Sequence, residues 1–144
     1  MIEPLKKVVL QKMENLYIES TEFSPKVNLD FNKQIFELVG ISRPEDVIAF
    51  YESVIYKLEG YVSESIQSGN VPKLNFQLIF DLTYMNSASS KYILQILDYF
   101  KKLYNKDAKI NIDWHYDDVD DQIFEDGEDL SEVIDMPFNL IPRT

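Results

Sequence analysis

Residues 74–104 read LNFQLIFDLTYMNSASSKYILQILDYFKKLY, and this stretch predicts a strand, a short loop and a helix in succession. Within residues 74–82 apolar side chains occupy every second position, which is typical of a strand that buries one face. Ile79 adds an apolar residue to the other face and indicates an interior strand. Residues 83–86 are expected to form the loop. Residues 87–104 carry apolar side chains at helical spacing, so the stretch favours an α/β fold.

The segments before this stretch favour β-strands. Residues 27–31 and 35–39 show period-2 apolar character on either side of Asn32-Lys33, and this pattern predicts a β-hairpin. Gly40 is expected to end the second strand of the hairpin. Residues 16–18 show the same alternation and predict a short strand before it.

A long helix is predicted between the hairpin and the strand at residues 74–82. Ser42–Glu45 has the sequence of a capping box, in which the serine and glutamate side chains each accept from the other's backbone N–H group. Apolar residues then recur at helical spacing over Val47–Ile66. Gly69-Asn70, followed by Pro72, is expected to end this helix.

The remainder of the chain predicts two more strands and one more helix. Residues 109–116 alternate as a strand, residues 120–134 suit an acidic helix with one packed edge, and residues 138–141 suit an edge strand. The order β, β, β, α, β, α, β, α, β predicts the α/β class, with a mixed β-sheet covered by about three helices. Residues 1–12 are expected to be a weakly ordered extension to a single domain of residues 13–144.

The charge of the chain is unevenly distributed. The 144 residues include 25 acidic and 14 basic side chains, which give a formal net charge of −11. Residues 117–135 hold ten of the acids and no base, and the rest of the chain is nearly balanced. Without a basic patch, binding to nucleic acid or to an anionic membrane is not expected. The acidic segment is expected to form a solvated helix face, with docking of a basic partner as the alternative.

The composition also excludes several kinds of chemistry. Cysteine is absent and histidine occurs once, which excludes a disulfide framework, thiolate catalysis and the cysteine-based or histidine-rich metal sites. The acids before Gly127 do not match the spacing of an EF-hand loop. No apolar run reaches the roughly 20 residues that cross a bilayer. We therefore predict a cytoplasmic protein without metal or cofactor.

The strongest candidate site lies at residues 81–91, where an interior strand leads into a helix. Asn86 or Ser87 is a good N-cap residue, and the small residues that follow leave the helix end sterically open. One interpretation is that these polar residues only cap the helix. The other is that one hydroxyl accepts a phosphate, which free backbone N–H groups and the helix dipole would stabilise. Such a group would add about −1.5 to −2 charge to the surface.

Seven segments resemble the SiaC family of bacterial regulatory phosphoproteins. They are MENLYIES (13–20), SPKVNLDF (24–31), FELVGISRPEDVIAFYESVI (36–55), FDLTYMNSASSKYILQILDYF (80–100), WHYDD (114–118), GEDL (127–130) and MPFNLI (136–141). Their order and spacing cover about nine-tenths of the chain. The resemblance implies a fold similar to STAS domains and to anti-sigma factor antagonists.

The resemblance also implies a switch and its partners. In this family the threonine directly after an asparagine is phosphorylated by a dedicated kinase with a histidine-kinase-like ATPase fold. A PP2C-type phosphatase reverses the modification, and the unmodified protein binds and activates a diguanylate cyclase. By position the acceptor here is Ser87, next to Asn86. This sequence has serine in place of the threonine and Ala88 in place of a common second hydroxyl residue, so Ser89 is an alternate acceptor.

We therefore predict a partner switch without catalytic activity, in which Asn86 orders the loop and Asp81 shapes the strand end. The residues predicted to face a partner are Asp81, Tyr84, Met85, Asn86, Ser89, Ser90 and Lys91. Two alternatives remain open. The first is a constitutive protein- or small-ligand-binding module of the same fold, and the second is a small hydrolase using Ser87 and His115.

Overall fold

The computed structural model describes residues 14–143, so the predicted extension at residues 1–12 lies outside the described part of the chain. The elements in chain order are β1 (Leu16–Ile18), β2 (Lys26–Asp30), β3 (Ile35–Ser42), α1 (Val47–Ser68), a 3₁₀ turn (Val71–Lys73), β4 (Asn75–Met85), α2 (Ser87–Tyr104), β5 (Lys109–Asp117), α3 (Asp121–Ile134) and β6 (Asn139–Arg143). The predicted order of strands and helices is confirmed.

The six strands form one mixed sheet in the order β1-β2-β3-β4-β5-β6. The pairs β1–β2 and β2–β3 are antiparallel, whereas β3, β4, β5 and β6 run parallel and are connected through the three helices. Strand β4 is interior, as predicted. Its alternate residues Phe76 to Leu82 are buried, while Gln77, Ile79 and Asp81 on the other side are half-buried. The helices therefore cover one face of the sheet.

Aromatic side chains hold the helices against the covered face. Phe36 of β3 lies 5.7 Å from Phe80 of β4 and 6.0 Å from Phe100 of α2, measured between ring centroids. Phe76 lies 5.2 Å from the same Phe100 ring. These tilted arrangements match the electrostatic preference of aromatic rings, and all four side chains are buried. Helix α2 is thereby anchored along the central strands.

The hairpin differs from its prediction at two places. Strand β2 ends at Asp30 and β3 begins at Ile35, so four residues form the turn, and Gln34 adopts a φ of 57°. Gly40 does not end the second strand. Gly40 has a φ of 120° where the register shifts, and β3 continues to Ser42. The extra residue of this bulge is Thr83 of β4, which has no partner in β3.

The predicted start of the first helix is wrong. Ser42 is a buried strand residue, and α1 begins at Val47 with Asp46 as its N-cap. The Asp46 carboxylate accepts a hydrogen bond of 3.0 Å from the Ala49 N–H. Aspartate is as good a cap as serine, so the local sequence allowed both starts. The end is as predicted, because Gly69 adopts the left-handed conformation with a φ of 73°.

Helix α3 is fixed to the sheet through a contact that requires glycine. The Trp114 indole is fully buried, and its Nε1 donates a hydrogen bond of 2.8 Å to the carbonyl of Ile123. Gly127 lies directly on this ring, so a Cβ atom there would stand 2.5 Å from Trp114 Cδ1 and Nε1. The acidic segment is therefore packed as part of the domain.

The uncovered face of the sheet carries polar side chains that bond to each other. Gln77 donates to the Asp113 carboxylate at 2.9 Å and accepts from Asn111 at 2.5 Å. Asn139 donates to Asn111 and to Asp113 at 3.0 Å each. This network spans β4, β5 and β6. The polar side chains on the uncovered face therefore serve as hydrogen-bond partners for one another.

We predict that Gly127→Ala destabilises the protein by about 2 kcal/mol or more. Alanine gains about 1 kcal/mol of helix propensity over glycine, but the new Cβ overlaps a buried ring that its own hydrogen bond holds in place. Urea unfolding followed by Trp114 fluorescence measures the change. Glu128→Ala, at an exposed neighbouring position, is the control and should change stability by less than about 0.5 kcal/mol. An equally stable Gly127→Ala variant would contradict the packing described.

Candidate functional site

The predicted site lies at the carboxyl edge of the sheet, just beyond the bulge between β3 and β4. Beyond the bulge β3 stays paired with β4 as far as Ser42 and Met85. Residues 83–86 therefore do not form the predicted loop, and Asn86 alone separates β4 from α2. The amino terminus of α2 lies beside the end of β3, at the edge where open α/β sheets place their binding sites.

Asn86 caps α2, as predicted. Its backbone is extended, and its side-chain oxygen accepts a hydrogen bond of 2.8 Å from the Ser89 N–H. Its carbonyl accepts from the Ser90 N–H at 3.1 Å. The N–H groups of Ser87 and Ala88 make no hydrogen bond among the described residues, and both residues are exposed. Two free donors at the positive end of the helix dipole therefore lie beside the Ser87 hydroxyl.

Three buried hydroxyl groups beneath the cap form a directed chain. The Ser89 hydroxyl lies 3.0 Å from the Ser42 carbonyl, which can only accept, so Ser89 donates this bond. Ser42 Oγ then donates to Ser89 Oγ at 2.8 Å. Because a hydroxyl has one proton, the bond of 2.6 Å between Tyr51 and Ser42 Oγ is donated by Tyr51. The chain joins α1, β3 and α2.

This chain distinguishes the serines of α2. Ser89 is fully buried, so the prediction that it faces a partner is wrong, and a phosphate on it would break the hydroxyl chain. Ser90 is half-buried and donates to the Ser87 carbonyl at 2.9 Å. Ser87 is exposed and its hydroxyl has no such buried role. Of the two predicted acceptors, only Ser87 presents its side chain at the surface.

A cavity of about 330 Å³ lies beside Ser87. Its walls are formed by Tyr84, Met85, Asn86, Ser87, Ser90, Gln122 and Asp126. The last two residues belong to α3, and the Gln122 side chain donates to the Asp126 carboxylate at 2.9 Å. Sequence reasoning did not place them at the site, because only the packing of α3 brings them there.

Asp126 is the acidic group of this cavity. Burial raises its pKa above the usual range, the nearby Asp129 and Asp120 carboxylates raise it further, and the bond from Gln122 lowers it. These surroundings already disfavour the charged form of Asp126, so placing a second anion beside it would be unfavourable. Charge added at Ser87 therefore enters a corner that is already negative.

The other predicted partner-facing residues are distributed around the cavity and beyond it. Tyr84 is 48% exposed, and Lys91 is exposed one helical turn after Ser87. Met85 is nearly buried, at 8% exposure, and contributes only to the cavity wall. Asp81 points away from the cavity to the uncovered face, where its carboxylate pairs with Arg143 at 2.5 Å. That ion pair ties β4 to β6.

The predicted Ser87–His115 pair is not supported by the geometry. His115 pairs in register with Asp81 on the uncovered face of the sheet, and it is not among the residues that line the cavity beside Ser87. Among residues 14–143, no group of three or more histidine or acidic side chains has the arrangement of a metal site. Over the same residues, no helix is both long and apolar enough to cross a membrane.

We predict that Tyr51→Phe destabilises the protein by about 1–2 kcal/mol. The substitution keeps the buried ring but removes the only donor to Ser42 Oγ in the hydroxyl chain. Urea unfolding measures the loss. Tyr17→Phe, which removes a hydroxyl from a tyrosine that is 60% exposed, is the control. Equal stability of the two variants would show that the chain contributes nothing.

The same tyrosine predicts a specific pH dependence. Burial raises the pKa of Tyr51 from 10.0 to about 12, against the lowering effect of the nearby Ser42 and Ser89 hydroxyl groups. The unfolded chain therefore loses the Tyr51 proton first, and the stability due to this shift is complete below pH 10 and lost as pH rises through about 12. Over this interval the wild type should lose stability relative to Tyr51→Phe, while Tyr17→Phe follows the wild type. Parallel curves for all three proteins would contradict the assignment.

Comparison with known proteins agrees with this architecture. A family model described as SiaC family regulatory phosphoprotein matches residues 18–143. An uncharacterised protein of Pseudomonas aeruginosa (strain UCBPP-PA14) is 26% identical over 128 residues, which are 89% of this chain and 96% of that protein. The crystal structure of apo-SiaC from Pseudomonas aeruginosa superposes with a TM-score of 0.76 at 24% identity, covering 90% of this chain and 99% of that one.

A second solved structure contains a similar chain in a complex. It is described as diguanylate cyclase SiaD in complex with its activator SiaC from Pseudomonas aeruginosa, and the match has a TM-score of 0.77 at 23% identity. It covers 89% of this chain and 99% of that chain. These structural likenesses establish the fold, and the family model covers most of the chain. The protein therefore belongs to the SiaC family of regulatory phosphoproteins.

Proposed function

We propose that this protein is a cytoplasmic partner switch without catalytic activity, and that Ser87 is its phosphoacceptor. The observation that carries the proposal is the contrast between Ser87 and Ser89. Ser87 is exposed beside two free N–H groups, whereas Ser89 is buried in the hydroxyl chain. Only the first can be modified without disrupting the packing beneath it.

The first turn of α2 is suited to hold a phosphate on Ser87. The N–H groups of Ser87 and Ala88 would donate to phosphate oxygens, and the helix dipole favours negative charge at this end. Neither group has to leave an existing hydrogen bond. The modification would therefore leave the cap of Asn86 and the fold intact.

The same phosphate would oppose the binding of a partner, although the fold tolerates it. A partner that packs closely over the unmodified helix end would meet a hydrated group with about −1.5 to −2 charge, next to the Asp126 carboxylate in the same cavity. Desolvation and repulsion would then oppose binding. A difference of a few kcal/mol between the two states changes the bound fraction by orders of magnitude.

The proposed partners follow the family. They are a protein kinase with a histidine-kinase-like ATPase fold, a PP2C-type phosphatase and a diguanylate cyclase, which the unmodified protein would activate. Support for the cyclase comes from the structure of SiaC with SiaD, in which a similar chain is described as the activator. The proposal includes no nucleic acid, no membrane and no cofactor.

We expect mass spectrometry of the protein isolated from its host to find phosphate on Ser87. Ser87→Ala should abolish the modification, because it removes the exposed hydroxyl that lies beside the free N–H groups. Ser89→Ala should keep it. Phosphate that persists in Ser87→Ala, or that disappears only in Ser89→Ala, would contradict the assignment.

Capture of the cyclase tests the switch itself. Ser87→Ala should retain a diguanylate cyclase from the host at the wild-type level, and Ser87→Asp should lose most of it. Ser68→Asp, which adds the same charge at an exposed serine at the carboxyl end of α1, is the matched control and should bind as the wild type does. Equal capture by all variants would favour a constitutive binding module instead.

A further inference from the structure

Arg43 lies one residue beyond the end of β3, at the same edge of the sheet as Ser87. Its side chain is exposed, and its guanidinium carbon lies 5.1 Å from the centroid of the Phe23 ring. Among residues 14–143 this guanidinium forms no ion pair and donates no hydrogen bond, although the chain has a net charge of −11. A guanidinium is always charged and has several N–H donors. The donors of Arg43 are therefore available to an anion that comes within reach.

The peptide group between Ser42 and Arg43 fixes the backbone of Arg43 on both sides. Its carbonyl accepts hydrogen bonds of 3.0 Å from the Asn86 N–H and from the Ser89 hydroxyl, which belong to the cap and the first turn of α2. Its N–H donates at 2.8 Å to the Phe23 carbonyl, in the loop before β2. The backbone is thus bonded both to the amino terminus of α2 and to the residue on which the guanidinium rests. Only the side chain of Arg43 can move between them.

The position of Arg43 brings Ser87 within reach of its side chain. Ser42 and Met85 are partners in register, and neighbouring strands lie about 4.8 Å apart. Arg43 follows the first partner and Ser87 lies two residues after the second, with about 3.8 Å between consecutive Cα atoms. The long arginine side chain and a phosphate on Ser87 together span this separation. Arg43 approaches from β3, whereas Asp126 lies on the opposite side, on the helix that packs against β5.

A phosphate on Ser87 would compete successfully with the Phe23 ring for the guanidinium. At an exposed site a cation–π contact is a weak interaction, and Phe23 is 46% exposed. The planar guanidinium matches two phosphate oxygens at once, and such charge-assisted pairs are among the strong hydrogen bonds of proteins. Both arrangements use the same backbone position of Arg43. The side chain therefore has two alternative positions, and the state of Ser87 would select between them.

We propose that Arg43 is the sensor of a phosphate on Ser87. In the unmodified protein its guanidinium rests on Phe23. After modification it turns toward α2 and donates two hydrogen bonds to phosphate oxygens, and Phe23 loses its cation. The modification of α2 thereby also changes the surface of the loop before β2, on the other side of β3. The phosphate itself rests on the proposed function, whereas the position of Arg43 between Phe23 and α2 does not.

Lys91 is a second base close to Ser87. It is exposed and lies four residues after Ser87 in α2, a spacing at which helical side chains can interact. Its side chain lines a groove with Asp98 of α2 and Val133 of α3, away from β3. A lysine also offers a single point charge in place of the planar fork of donors. These features favour Arg43, and Lys91 serves as the competing position in the test.

Titration of the phosphate tests the contact. Phosphoserine is incorporated at position 87 of the full chain by amber suppression, so the experiment does not depend on a kinase of the host. Arg43 should hold the second pKa of the phosphate below its usual value of about 6, as measured by phosphorus NMR. Arg43→Gln should raise this pKa by about 0.5 or more, and Arg43→Lys by less. Lys73→Gln is the matched control, because Lys73 is exposed at the opposite end of β4, and it should leave the pKa unchanged.

Proton NMR tests the movement of the guanidinium. Nuclear Overhauser effects between the Arg43 side chain and the Phe23 ring should be present in the unmodified protein and lost when position 87 carries phosphoserine. The contact of Lys102 with the Tyr99 ring, at 4.7 Å near the carboxyl end of α2, is the internal control. It should be the same in both proteins. Circular dichroism of each variant checks that it is folded.

The two measurements separate this inference from the proposed function. A phosphate pKa that Arg43→Gln leaves unchanged, or that only Lys91→Gln raises, overturns the inference. Overhauser effects between Arg43 and Phe23 that persist in the phosphorylated protein overturn it as well. Because the phosphate is built into the chain, its absence from protein isolated from the host would contradict the proposed function and would not affect this contact.

Discussion

A buried row of three hydroxyl groups is the interaction on which the site of this protein depends. Tyr51 belongs to α1, Ser42 to the end of β3 and Ser89 to the first turn of α2. A buried hydroxyl without a partner costs roughly 1–3 kcal/mol, so each member requires the other two. The amino terminus of α2 is therefore positioned by α1 and β3 as well as by the strand that precedes it.

The same bonds assign different roles to two serines that look equivalent in the sequence. Residues two positions apart in an α-helix point in nearly opposite directions, since each residue turns the helix by about 100°. Once Ser89 is held beneath the helix by the Ser42 carbonyl, Ser87 has to face outward. The hydrogen bond of Ser89 to the Ser42 carbonyl thus leaves Ser87 as the serine that is accessible to the proposed switch. Tyr92 of α2 also stacks on Tyr51, with the ring centroids 5.7 Å apart.

Periodicity was sufficient to predict most of the fold. The alternation in β4 and the helical spacing in α2 are strong because each element buries one complete face. The start of α1 was mispredicted because Ser42–Glu45 satisfies a local capping pattern, while the tertiary structure uses the Ser42 hydroxyl in the core. Gly40 was mistaken for a strand end because a glycine beside a β-bulge and a glycine in a turn look alike in sequence.

Only the residues of the candidate site that are neighbours in the sequence could be predicted. Asn86 and the serines after it are contiguous, so their roles follow from helix-capping rules. Asp126 lies about forty residues later and reaches the cavity only because Gly127 lets α3 approach Trp114. No local pattern carries that information.

The packing of α3 places one of the acids behind the net charge of −11, Asp126, beside the candidate site. Inside the domain, a phosphate on Ser87 would meet the two free N–H groups of α2, which compensate its charge. On the side of the cavity it would meet Asp126, and no cation lines that cavity. The N–H groups of the domain would therefore compensate the charge of a phosphate on Ser87. No group on the side where a partner would bind would do so. Under the proposed function, this asymmetry would let a phosphate on Ser87 change binding without unfolding the protein, which is the physical requirement of a reversible switch.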